Sequence, residues 1–129
     1  MAKLPLIARI LLGLLFAAGG IVALLQLGPQ PELEGAAADF MDGLMGSGYF
    51  WPFLKIVEIV AGIMLLTGIG VPLALLLLAP IVANIVLFHV FLEPGDIAIA
   101  LVALVLGLYL AYAYRGSFAG VLKFKAKPG

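Results

Sequence analysis

Four apolar stretches, each about long enough to cross a bilayer, occupy residues 5–27, 49–67, 71–92 and 94–114 and leave little of this 129-residue chain for anything else. A hydrocarbon core of ~30 Å needs about 20 consecutive apolar residues in one helix. The composition agrees: 65% of residues are hydrophobic and 11% charged, against roughly 45–50% and about 25% in soluble domains. The expected fold is all-α, an integral membrane four-helix bundle, with residues 1–129 forming one domain. The first stretch follows Lys3 as a secretory signal would, but from Leu4 to Leu27 it exceeds the roughly 7–15 residues of a signal's apolar region. A retained helix is expected.

Charge then orients the helices. Twelve of the fourteen charged residues fall in the polar segments or at span ends, and their sign alternates from one side to the other. Lys3, Arg9, Arg115, Lys123, Lys125 and Lys127 lie on one side, and Glu32, Glu34, Asp39, Asp42, Glu93 and Asp96 on the other. Basic residues near span ends are retained in the cytoplasm, so both termini are expected to be cytoplasmic and the acidic loops external. The longest link begins with the turn Gly28-Pro29-Gln30-Pro31-Glu32 and continues into a helix-prone segment over residues 36–46. There Phe40, Met41, Leu44 and Met45 share one face, with Asp39 and Asp42 on the wet side, as in a short amphipathic helix lying in the interface. Tyr49, Phe50, Trp51 and Phe53 form an outer aromatic belt, and Tyr109, Tyr112 and Tyr114 an inner one. The tail 116–129 mixes Phe118, Val121, Leu122 and Phe124 with lysines and is expected to rest on anionic headgroups.

Several functions are excluded or disfavoured by what the chain lacks. With no cysteine there is no disulfide framework, redox CxxC pair or thiolate metal site. The formal net charge is zero, and the basic residues are divided between two tails, which gives nucleic-acid binding no support. Gly68-Ile69-Gly70 has no following lysine and reads as a turn rather than a phosphate loop.

The two remaining charges, Lys55 and Glu58, stand inside the second span. At 1.5 Å per residue they lie ~9 Å and ~13 Å below its outer end, and Asn84 and His89 of the antiparallel third span lie ~12 Å and ~5 Å below theirs. Lys55 and Glu58 are three apart, on one face with Trp51 and Gly62. Ionisable groups at this depth cost roughly 2.5–3.5 kcal/mol each, so they persist when paired or when they serve a ligand or a proton. Both roles stay open for this pair. Asn84 has a structural alternative, either capping the carbonyl that Pro80 leaves free or making an interhelical hydrogen bond. It also lies about 140° around the axis from His89, too far for both to point at one spot. His89 and Glu93, four apart, have the spacing of two metal ligands. A complete set would need further carboxylates or Asn84, and no metal site is expected. Haem would lack a second axial ligand. The candidate ligand-binding residues are therefore Lys55, Glu58, Asn84, His89 and Glu93.

The run Phe40-Met41, Leu44-Met45, Gly48-Tyr49-Phe50, Pro52, Lys55, Glu58 resembles the first loop and second helix of the DoxX family of small four-helix bacterial membrane proteins. The run Pro72-Leu73-Ala74-Leu75, Leu78-Ala79-Pro80-Ile81, Asn84-Ile85, Leu87-Phe88-His89, Pro94, followed by Tyr114-Arg115 and Phe118, resembles the rest. The resemblance implies a bacterial inner-membrane location and an association with redox complexes, among them a thiosulfate:quinone oxidoreductase. This chain lacks the cysteine pair of redox-active four-helix relatives. The expected role is that of an accessory protein holding a non-covalently bound quinone or other amphiphile for a membrane or periplasmic redox partner. A purely structural subunit of a larger complex and a lipid-binding or transport module are the alternatives.

Overall fold

A computed structural model describes residues 3–28 and 32–129, so most of the turn expected at residues 28–32 lies outside the described residues. Among the described residues every regular element is helical. Helix α1 is Lys3–Leu24, α2 Gly35–Gly46, α3 Phe50–Thr67, α4 Val71–Phe91 and α5 Ile97–Ala113, with one-turn 3-10 helices at Pro94–Asp96 and Arg115–Phe118 on either side of α5. Helices α1, α3, α4 and α5, the last counted from Pro94, are long and apolar enough to cross a membrane. Their outward positions, such as Leu11, Ile56, Leu73 and Val105, are exposed. Contiguous apolar surface on this scale marks a protein that faces lipid.

Local backbone chemistry sets the helix ends. α1 stops short of the expected Leu27 because Gln26 adopts a left-handed φ of 53°. The Leu27 N–H then donates to the Val22 carbonyl at 2.9 Å and the Gln26 N–H to that of Ala23 at 3.3 Å, which is a Schellman cap. At the other end of the bundle, Gly68 (φ 78°) closes α3 and Gly70 (φ 68°) opens α4. Two left-handed residues so close together suit glycine, which lacks the Cβ that opposes positive φ.

α1 packs against α3 and α5, and α4 packs against the same two, so α1 and α4 occupy opposite corners. α1 and α3 meet almost backbone to backbone. A Cβ on Gly62 would stand 2.5 Å from the Ala17 nitrogen and 2.8 Å from the Gly13 oxygen, and one on Gly20 would stand 2.7 Å from Ile59 Cγ1. Small residues permit this approach, which is how helices gain contact where lipid supplies no hydrophobic drive.

The core is lopsided. It gathers Leu12 and Phe16 of α1, Ala61 and Leu65 of α3, Val71 to Val82 of α4, and Ala103 and Leu110 of α5. No residue of α3 before Glu58 and none of α4 after Val82 is buried. The tightly filled half is therefore the one next to the Gly68–Gly70 link, where the basic residues also lie. Packing thins toward the opposite end, where α2 rests against α3.

Candidate functional site

Beneath α2, where α3 and α4 are no longer packed through a core, lies a cavity of about 430 Å³. Small-molecule sites span roughly 300–1,000 Å³. Phe40, Met41 and Leu44, the apolar face of α2, form its roof. α3 supplies Phe50, Trp51, Leu54, Lys55 and Glu58, and α4 supplies Pro80, Ile81, Asn84, Ile85, Phe88 and His89. Phe40 reaches across to Phe88, with ring centroids 5.3 Å apart and planes tilted by 45°. This contact ties the roof to α4, while the rest of α2 docks on α3.

Lys55 and Glu58 form an ion pair, with Nζ 3.2 Å from Oε2 and side chains only 14% and 6% exposed. The ammonium also sits 4.4 Å from the centroid of the Trp51 ring, so the negative π face and the carboxylate both replace water around it. The face they share continues to Gly62, which locks α3 against α1. Trp51, Lys55 and Glu58 all line the cavity. The indole N–H of Trp51 is buried and meets no acceptor among the described residues.

On α4, Nδ1 of His89 lies 2.8 Å from the Ile85 carbonyl. A carbonyl only accepts, so Nδ1 carries a proton, and in the tautomer this bond selects Nε2 is the acceptor. Asn84 is exposed on the cavity wall and its amide finds no hydrogen-bond partner among the described residues. Neither the expected cap over the carbonyl freed by Pro80 nor an interhelical bond is formed. The angular separation of Asn84 and His89 does not keep them apart, because α4 turns the whole arc from Pro80 to His89, about 180° of its circumference, toward the cavity.

Glu93 does not belong to this group. The helix ends at Phe91, and both the Leu92 and the Glu93 N–H groups close on the Phe88 carbonyl, at 2.8 and 3.1 Å. Glu93 itself is non-helical, with φ −146° and ψ 76°. The cause is Pro94, whose ring disfavours helical geometry in the residue before it. The face expected to be shared with His89 therefore does not exist. No group of three or more His, Cys, Asp or Glu side chains that could hold a metal occurs among the described residues.

Two features escaped the sequence reading. Phe88 is a wall residue and the partner of Phe40, a role signalled only by its position four residues after Asn84. A second cavity of about 520 Å³ lies between α2 and the end of α1, lined by Gly19, Ala23, Gln26, Leu33, Asp42 and Met45. Met41 and Trp51 line both cavities and form the wall between them.

A model of the DoxX family matches residues 4–90. The match takes in α1 to α4 with Lys55, Glu58, Asn84 and His89, and stops before Glu93 and α5. No curated protein and no solved structure matches the chain. Four membrane-length helices and a family match over more than half of the chain lead to one conclusion: this is a multi-pass membrane protein that belongs to the DoxX family.

Proposed function

We propose that this protein holds a quinone or a similar amphiphile in the cavity beneath α2 and serves a redox partner in the bacterial inner membrane. One observation carries the reading. An otherwise apolar cavity gathers polar groups that have no partner among the described residues: the exposed Asn84 amide, the His89 Nε2 acceptor and the buried Trp51 N–H. An unsatisfied buried donor costs about 1–3 kcal/mol, a cost that a bound oxygen acceptor removes.

A quinone suits this set. Its two carbonyl oxygens accept hydrogen bonds, and Asn84, Trp51 and Lys55 are donors. In the quinol form its hydroxyls donate, and Nε2 of His89 accepts. Glu58 holds Lys55 in place and balances its charge. Pro80 and Asn84 are exposed, so the α4 side of the cavity is open toward the bilayer, where an isoprenoid tail would lie. With the basic ends of the bundle in the cytoplasm, the site opens in the external half, within reach of a membrane or periplasmic partner.

The Lys55–Glu58 pair supports a second reading. Because it neutralises itself, a purely structural subunit of a larger complex needs no ligand to retain it. Lipid extracts of the purified protein separate the two. The quinone reading expects a quinone in near-stoichiometric amount, lowered by His89→Ala and by Lys55→Met. Purified parent protein with no enriched quinone or amphiphile removes the reading and leaves the structural subunit.

A further inference from the structure

We infer a second ligand site at the basic end of the bundle, a groove between α4 and α5 that takes one acyl chain of an anionic phospholipid and holds its phosphate on Arg115. The groove encloses about 430 Å³ and shares no residue with the cavity beneath α2. Its α4 wall runs from Leu75 to Ala83, ~12 Å along the helix axis. Leu104, Gly107, Leu108 and Ala111 form the α5 wall, along one helical face. A narrow apolar slot of this length suits a chain better than a ring. Gly107 gives it width, for a Cβ there would meet nothing within 4 Å.

Hydrocarbon is the occupant that the surroundings supply. The rims Leu76 and Leu108 are exposed, so in a membrane the groove opens directly to lipid. Its one polar side chain, Arg115, marks the headgroup end. Arg115 does not hang free. Nη1 donates to the Tyr112 carbonyl at 2.9 Å, and the guanidinium lies 4.3 Å over the Tyr112 ring. The remaining N–H groups are thereby held in one place, and a guanidinium fork matches phosphate oxygens. Phe118, Val121 and Leu122 close the mouth, which brings Lys123, Lys125 and Lys127 after them in the chain. No acidic residue follows Asp96. A headgroup with net negative charge fits this end, whereas a zwitterionic one would set its ammonium against four cations.

The full-length protein, delipidated in mild detergent, tests this by native mass spectrometry with added phosphatidylglycerol or phosphatidylcholine. One phosphatidylglycerol should be retained in preference to phosphatidylcholine. Arg115→Gln should reduce that preference about tenfold, the scale of one charge-assisted hydrogen bond. Gly107→Leu should fill the slot and lower retention of both lipids. A phospholipid bearing a photoreactive acyl chain gives an answer on the unaltered protein, with crosslinks expected within residues 75–83 and 104–111. Equal retention of the two lipids, or crosslinks spread evenly over all four spanning helices, overturns the proposal.

Discussion

Removing Glu58 isolates the central interaction of the α2 cavity, because its carboxylate is the only anion paired with Lys55 among the described residues. In Glu58→Ala the ammonium keeps the Trp51 ring but loses a partner 3.2 Å away, in surroundings that leave it 14% exposed. Breaking a buried pair from one side costs about 3–5 kcal/mol. The surviving cation–π contact is worth up to about 2 kcal/mol when desolvated, and the long stem of Lys55 allows some movement toward water. The loss should therefore lie at the low end, about 3 kcal/mol. Lys55→Met together with Glu58→Leu removes both charges and should unfold close to the parent, since apolar replacement of a buried pair is often neutral. Trp51 is the only tryptophan, so its fluorescence during unfolding of the detergent-solubilised protein by a denaturing detergent reports on this site. If Glu58→Ala unfolds within about 0.5 kcal/mol of the parent, or the double variant is as unstable as the single one, the pair does not hold Lys55 in the way its geometry indicates.

Three further outcomes follow from other parts of the molecule. Gly62→Ala, whose Cβ would meet the Ala17 nitrogen at 2.5 Å, should cost about 1–3 kcal/mol by overpacking; Gly19→Ala, with nothing within 4 Å of its Cβ, should be silent in the same unfolding assay. A single cysteine at Gly95 should react with an impermeant thiol reagent outside intact cells and one at Ser117 should not, and labelling at Ser117 alone would reverse the orientation; Gln30, the other external position expected to label, lies outside the described residues. Asn84→Leu should weaken binding of a soluble quinone analogue, followed by Trp51 quenching, by about three- to tenfold, the value of one neutral hydrogen bond, and unchanged affinity would take Asn84 out of the site.

The parts of this fold legible in the sequence are those fixed by short-range chemistry. Span length follows from the thickness of hydrocarbon, and the Lys55–Glu58 pair follows from a spacing of three on one helix. The amphipathic face of α2 shows in Phe40, Met41 and Leu44, which do form the roof. Glu93 departs from the expected face although the signal is in the sequence: Pro94 disfavours the helix that would align it with His89. Asn84 is a different case. Local geometry predicts an amide capping the Pro80 carbonyl, but whether it turns to the backbone or to a cavity depends on how far α3 stands from α4, and no local pattern encodes that distance.

That distance has a structural source. The glycines at 13, 20 and 62 draw α3 close to α1, while the buried leucines and valines of α4, with Leu110 of α5, fill the half of the bundle beside the Gly68–Gly70 link. On the α2 side, α3 and α4 bring Trp51, Lys55, Phe88 and His89 into the space between them, bulky or polar side chains that do not interlock as the leucines and valines of the other half do. A gap is left there, and α2 covers it through Phe40 on Phe88. Stability and the candidate site are thus divided between the two halves of one bundle. Enlarging the side chains of the packed half should unfold the protein, whereas Phe40→Ala should loosen the roof and alter ligand retention with little change in unfolding.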